Sequence, residues 1–262
     1  MAPALEGEIA IVTGAGKGIG EAIAHALAAA GARVAVTSRL AADAERVATA
    51  LGAGHVGLGM DVRDSAAVNA AVAAAAEALG APTILVNNAG VNCIAPSETY
   101  PDDEWERVVD VNLTGVFRCC RAVGARMLEA GSGSIVNVAS IVGATVGMPW
   151  RAPYASSKAG VVGLTRTLAV EWAGRGVRVN ALLPGPVETP MIAVAIAQGA
   201  VDRQGVVDHT PAGRWGLPSD IAGAAVLLCS PEGRFMTGQA IVVDGGYSTF
   251  GASHAASRRF EM

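Results

Sequence analysis

The chain has 262 residues, of which 52% are hydrophobic and 16% charged, and its formal net charge is -4. At about 100–200 residues per domain this length allows one large α/β domain or two small ones, and no boundary divides it, so residues 1-262 are expected to form a single domain. Mixed charge with no basic stripe argues against a nucleic-acid partner.

The first residues carry neither a basic n-region nor a long apolar run, so neither export nor membrane insertion is expected, and a cytoplasmic location is. Cys93, Cys119, Cys120 and Cys229 lack metal-ligand or disulfide spacing. Free thiols in a reducing compartment, and no metal, are the expectation.

Short β-branched runs alternate with longer helical patterns along the chain. Residues 8–13, 33–37 and the weaker 55–60 read as the first three strands, and 83–87, 134–138, 177–182 and 239–243 as the other four. Apolar strands alternating with helices imply a doubly wound parallel sheet, covered on both faces, whose ligands lie at the carboxyl ends of the strands.

The first strand runs into Thr13-Gly14-Ala15-Gly16-Lys17-Gly18-Ile19-Gly20, followed by a helix with apolar periodicity. Glycines let backbone turn tightly and approach a pyrophosphate, and the helix N-terminus offers free N–H groups. In this strand–helix context the loop reads as a phosphate cradle rather than a simple tight turn. It has one more residue after the first glycine than the common dinucleotide fingerprint.

The second strand ends in Thr37-Ser38-Arg39. An acid is common there where NAD is used, whereas a basic residue accommodates the 2′-phosphate of NADP. With no carboxylate in place, Ser38, Arg39 and Lys17 favour NADP over NAD through charge-assisted bonds; the alternative is an Arg39 lying on the adenine ring or in solvent. Asp61-Val62 ends the third strand, with Asp61 a partner for the adenine amine. Asn87-Asn88-Ala89-Gly90 ends the fourth, where small residues admit backbone to a cofactor or where asparagine merely serves a turn.

Asn112 is polar among apolar neighbours, and such a residue commonly satisfies a backbone group. Ser140 brings a hydroxyl to the carboxyl edge of the fifth strand. Tyr154 and Lys158 are four residues apart, on one face of a helix that Pro153 would suit in its first turn. A cation beside a phenol stabilises the phenolate, so the pair is a candidate proton-transfer device.

These motifs, with Pro184-Gly185, occur in the order of the short-chain dehydrogenase/reductase family, which the chain resembles from about Leu5 to Tyr247. The resemblance is to carbonyl reductases and 3-oxoacyl-(acyl-carrier-protein) reductases. It implies a Rossmann-type, seven-stranded parallel sheet binding a nicotinamide dinucleotide and moving hydride between it and a carbonyl or secondary alcohol.

By that resemblance Tyr154 is the general acid in reduction and the general base in oxidation. Lys158 lowers its pKa and holds the nicotinamide ribose, Ser140 binds the substrate oxygen, and Asn112 holds a water that relays protons from Lys158. The dinucleotide would lie against Gly14, Gly16, Lys17, Gly18, Ile19 and Gly20, then Ser38, Arg39, Asp61 and Val62, then Asn88, Ala89 and Gly90. Tyr154, Lys158, Pro184, Gly185, the Val187 backbone and the Thr189 hydroxyl would hold its nicotinamide end.

The substrate pocket is expected from Asn92, Cys93 and Ile94, from Ile141, Val142, Met148, Trp150 and Arg151, and from about residues 190-213, which the resemblance makes a lid and whose Met191, Ile192, Val194 and Ile196 could equally pack permanently on the sheet. Arg151 is either an anchor for an anionic substrate or solvent-exposed. Residues 214–221 suit the start of the last helix, with Pro218 in its first turn and Asp220 near the positive dipole end. The resemblance further implies a homotetramer or homodimer. The tail 248–262, with Arg258, Arg259, Phe260 and Met262, is either disordered or reaches a neighbouring subunit.

Two other readings stay open: an NAD-dependent sugar, polyol or hydroxysteroid-type dehydrogenase, and a non-catalytic dinucleotide-binding sensor on the same fold.

Overall fold

The computed structural model describes residues 3–197 and 199–251, and the side chain of Met191 is not among the described features. The expectations for Arg258, Arg259, Phe260 and Met262 lie outside the described residues.

The chain opens with β1 (Ile9–Val12), α1 (Gly18–Ala29), β2 (Arg33–Ser38), α2 (Ala41–Leu51), β3 (Val56–Gly59), α3 (Ser65–Leu79) and β4 (Ile84–Asn87). After β4 the helix α4 (Asp102–Val109) passes through a π-helical turn, Asp110–Thr114, into α5 (Gly115–Ala130). Next come β5 (Gly133–Val138), the single turn α6 (Ile141–Ala144), the long α7 (Ala152–Trp172) and β6 (Val177–Pro184). The chain then forms α8 (Pro190–Ala197), α9 (Arg203–His209), α10 (Pro218–Cys229) and β7 (Ala240–Val243).

All seven expected strands form, with ends displaced by at most two residues. They make one parallel sheet in the order β3-β2-β1-β4-β5-β6-β7. The order reverses between β1 and β4, and in an open α/β sheet a crevice opens at the carboxyl ends of the strands at that switch point.

Side chains alternate across the sheet with period two. Ile11, Leu85, Ile135 and Val179 face a core shared with α3, α5 and α7. Val12, Val34, Val36, Ile84, Val86 and Leu182 face a second core with α1, α2 and α10. At about 1.5–3 kcal/mol per fully buried aliphatic side chain, these two layers hold the strand ends in fixed register, and so hold the loops that follow them.

Pro153 sits in the first turn of α7 and Pro218 opens α10, as expected. Asp220 accepts from the Leu217 N–H at 2.7 Å and pairs with Arg214 at 2.6 Å, which ties down the start of α10. The expected lid contains α8, as anticipated, and also α9, whose start is capped by the Asp202 side chain accepting from Gln204 N at 3.0 Å.

Candidate active site

The glycine loop is held rigidly from below. The Thr13 hydroxyl accepts from the N–H groups of Asn88 and Ala89, each at 3.0 Å, while Asn88 Nδ2 donates to the carbonyls of Thr13 and Gly14, each at 3.0 Å. Gly14 has φ +61, and a Cβ there would stand 2.7 Å from Ala89 Cα, so the first glycine is required by both backbone and space. Gly20 is required by close approach: its missing Cβ leaves room for the Asn88 amide.

Arg46 Nη2 donates to Gly16 O at 2.7 Å and fixes the middle of the loop. Lys17 caps α1 without a side-chain bond, which leaves the first N–H groups of α1 available at the cleft. Asn88 is thus the asparagine that fastens the loop. Asn87 belongs to the sheet interior, donating to Asn137 Oδ1 at 2.8 Å, and Asn137 in turn donates to Thr165 Oγ1 on α7 at 2.9 Å.

A cleft of about 1070 Å³ runs along the carboxyl edge of the sheet. At one end lie Ser38, Arg39, Asp61 and Val62. Arg39 is exposed and makes no hydrogen bond or ion pair with another described residue. Asp61 is paired with Arg63 at 2.7 Å, and that bond holds its carboxyl below the usual carboxylate range. The carboxylate therefore meets the cleft already bonded to a guanidinium.

At the other end Ser140, Tyr154 and Lys158 converge. Ser140 caps α6, its oxygen accepting from Val142 N at 3.1 Å. Gly143 has φ +92, and any Cβ there would collide with the Ala155 carbonyl, so the α6 turn packs directly on the first turn of α7. That contact sets Ser140 against Tyr154.

Burial pushes the Tyr154 phenol up, and the Ser140 hydroxyl and the Arg151 charge pull it down. Lys158 is 4% exposed, donates to Val138 O at 2.6 Å, and has its Nζ 5.8 Å from the centre of the Tyr154 ring. Burial pushes this ammonium down to about 8.

Asn112 stands behind the wall of the cleft, in the π-helical turn and fully buried. Its Oδ1 accepts from Val91 N at 2.8 Å, and its Nδ2 donates to Val91 O at 2.9 Å and to Ser157 Oγ at 3.2 Å. The extra residue of a π turn re-aims a side chain, here at the loop after β4 and at α7 together. Gly90 lies between Asn112 and Lys158: a Cβ on it would meet Asn112 Oδ1 at 3.5 Å and Lys158 Nζ at 3.7 Å.

Of the remaining expected residues, Gly14, Gly16, Lys17, Gly18, Ile19, Asn88, Ala89 and Gly90 line the cleft, and so do Pro184, Gly185, Val187 and Thr189. Val187 forms a bridge with Gly216 through Glu188 N to Gly216 O and Gly216 N to Pro186 O, each 2.9 Å, which leaves the Val187 N–H unused by the bridge. The Thr189 hydroxyl accepts from Ile192 N at 3.3 Å at the start of α8.

The expected substrate wall is corrected in part. Asn92, Cys93, Ile94, Ile192 and Val194 line the cleft, but Ile141 and Val142 are core residues, 2% and 8% exposed, because the α6 turn faces them into the sheet. Trp150 has φ +62 and is 58% exposed, so it points to solvent. Arg151 is half-buried, without a hydrogen bond or ion pair to a described residue, beside rather than within the lining. Met148 packs on the core, and Ile196 is outside the lining.

Sequence reasoning missed Arg46, Gly143 and the cleft residue Arg107, which pairs with Glu104 at 2.6 Å. Gly143 carried a faint signal, a glycine three residues after the serine. The two arginines carried none, since each looks like a solvated helix charge.

A family model described as enoyl-(acyl carrier protein) reductase matches residues 14–248. The chain is 45% identical over 247 residues to the D-threitol dehydrogenase of Mycolicibacterium smegmatis, covering 93% of this chain and 94% of that protein. It is 41% identical over 242 residues to the 3-oxoacyl-(acyl-carrier-protein) reductase of Vibrio harveyi, covering 92% of this chain and 98% of that protein. Among solved structures, a gluconate 5-dehydrogenase from Burkholderia cenocepacia J2315, in complex with NADP and tartrate, superposes with a TM-score of 0.89 at 36% identity, over 95% of this chain and 98% of that one. Likeness of this extent, on a sheet and an ordered set of motifs that span the whole match, makes the chain an oxidoreductase of the short-chain dehydrogenase/reductase family.

Proposed function

We propose that the chain is an NADP(H)-dependent enzyme moving hydride between the nicotinamide and a secondary alcohol or its carbonyl, and that its substrates are polyols or sugars. The observation that carries this reading is the convergence of Ser140, Tyr154 and Lys158 at the end of the cleft that begins at the glycine loop. The residues fit a dinucleotide: the cradle depends on missing Cβ atoms at Gly14 and Gly16, and the α1 N-terminus is left uncapped beside it.

When bound, the dinucleotide supplies or receives the hydride. Tyr154 gives its phenolic proton to the carbonyl oxygen in reduction and takes it back from the alcohol in oxidation. The Ser140 oxygen is fixed by the Val142 N–H and its hydroxyl faces the Tyr154 phenol, so its O–H can turn to the substrate oxygen set between them and stabilise charge there. Lys158 would hold the nicotinamide ribose hydroxyls beside Tyr154, its Nζ standing 5.8 Å from the centre of the phenol ring. Asn112 keeps the Val91 backbone and Ser157 in register around Lys158.

The cofactor preference rests on Ser38 and Arg39 and on the absence of an acid at the end of β2. It agrees with the NADP held by the gluconate 5-dehydrogenase structure. Polyol and sugar substrates are favoured by the likeness to the threitol enzyme.

The test is absorbance of reduced nicotinamide over a panel of four- to six-carbon polyols, simple alcohols and 3-oxoacyl thioesters, with both cofactors. NADP(H) is expected to give the higher kcat/KM, and Arg39→Ala to erase most of that advantage. A preference for NAD(H) that survives Arg39→Ala would sink the cofactor assignment.

A further inference from the structure

Among the described residues, three buried polar side-chain oxygens have no hydrogen-bond partner: Asn87 Oδ1, Asn92 Oδ1 and Tyr100 Oη. Asn87 lies in the sheet interior, and its amide nitrogen is already engaged with Asn137. Of the three, only Asn92 lines the catalytic cleft. The other asparagines of the site region, Asn88, Asn112 and Asn137, are all committed to protein partners.

The loop after β4 locates Asn92. Two residues before it, Gly90 packs against Lys158 Nζ; three residues after it, Ala95 N donates to the Trp150 carbonyl at 3.2 Å, just ahead of α7. Asn112 grips Val91 by both N–H and C=O, so the backbone entering Asn92 is fixed on both sides. The segment therefore runs alongside the one that bears Ser140 and Tyr154, with a desolvated acceptor in its middle.

We infer that Asn92 is a specificity residue of this enzyme, its side chain turning in the cleft wall so that Oδ1, closed to water in this structure, accepts a hydrogen bond from a substrate hydroxyl other than the one being oxidised. This rests on the polyol reading above. A buried acceptor left unpaired is costly, so a substrate that supplies the missing O–H is favoured over one that is apolar there by about ten- to hundredfold. The site then selects alcohols carrying a second hydroxyl near the reacting carbon, and discriminates against hydrocarbon chains such as those of acyl thioesters.

The experiment measures kcat and KM for D-threitol and other four- to six-carbon polyols against mono-alcohols of matched chain length, beginning with 2-butanol. Wild-type enzyme, Asn92→Leu and Asn92→Asp are compared, with the dissociation constant for NADPH measured on each as a check of the fold and cofactor site. Wild type is expected to prefer polyols, and Asn92→Leu to lose about ten- to hundredfold in kcat/KM on polyols with threefold or less change on mono-alcohols. Asn92→Asp, which keeps an acceptor, is expected to retain the preference.

If wild type prefers polyols and Asn92→Leu keeps that preference, or falls equally on both alcohol classes, the role of Asn92 is overturned while the polyol reading stands. If wild type shows no preference for polyols, inertness toward them included, both fall together.

Discussion

Tyr154 is a phenol placed where a phenolate is hard to form. Burial raises it, and the groups that oppose burial are the Ser140 hydroxyl and the Arg151 guanidinium, while Lys158 spends a hydrogen bond on Val138. Arg151 is therefore read as an electrostatic neighbour of the acid–base residue; the structure does not place it on the substrate wall. Its cation favours the deprotonated phenol, so replacing it should make the phenolate harder to reach.

Alcohol oxidation needs Tyr154 deprotonated, and its rate rises with pH through the phenol's titration. In Arg151→Met that limb is expected to move to higher pH, whereas Arg151→Lys should leave it nearly in place. The pH profile of kcat/KM checks this; a limb that stays put or moves to lower pH would show that the charge plays no part.

At this scale the sequence disclosed the residue types well. Tyr154 and Lys158 stood at a spacing that helix geometry explains, whereas the roles expected of Ser140 and Asn112 came from the family resemblance. Arg46 and Asn92 were not legible in their roles, because a hydrogen bond across 30 residues or an unpaired oxygen depends on three-dimensional packing that no local pattern encodes.

Among the elements, the single turn α6 matters out of proportion to its length. It carries Ser140 at its start and rests on α7 through Gly143, where φ is +92 and the Ala155 carbonyl fills the space a side chain would need. Gly143→Ala adds both left-handed strain, about 1–2 kcal/mol, and a collision that must move the two segments apart.

Misplacement of reacting groups by about 1 Å costs on the order of 10²-fold. Gly143→Ala is accordingly expected to lower kcat by roughly that factor while the NADPH dissociation constant stays within about threefold. Unchanged kcat would mean that the α6–α7 contact does not set the Ser140–Tyr154 geometry.

Strands were legible from their apolar runs, because a parallel sheet buries both faces and so leaves an uninterrupted signal. The π-helical turn at Asn112 was not, since it keeps helical composition while changing the bonding pattern. Nor was the outward turn of Trp150, which a left-handed backbone angle imposes.

For the whole molecule, the switch point between β1 and β4 dictates where the cleft must lie, and the two cores fix the strands that deliver its residues. Both ends of the sheet are edges, β3 and β7, and Val242 on β7 is 39% exposed. Trp105 on α4, Phe117 on α5 and Val170 on α7 are also exposed, at 41%, 41% and 84%.

Apolar surface of this kind is what an interface between copies covers. With the family resemblance it leads to the expectation of a homotetramer. Light scattering should report four chains per particle, and Val242→Lys and Val170→Glu should each shift the particle toward smaller species. A wild-type monomer would contradict it.

Catalysis is proposed to rest on proton transfer by Tyr154 beside a bound nicotinamide. Its most direct test is the rate of nicotinamide reduction by wild type and Tyr154→Phe, at saturating NADP+ and with the best polyol of the panel. The substitution is expected to lower kcat by about 10²- to 10⁴-fold with the cofactor dissociation constant nearly unchanged. Equal rates in the two proteins would contradict the account.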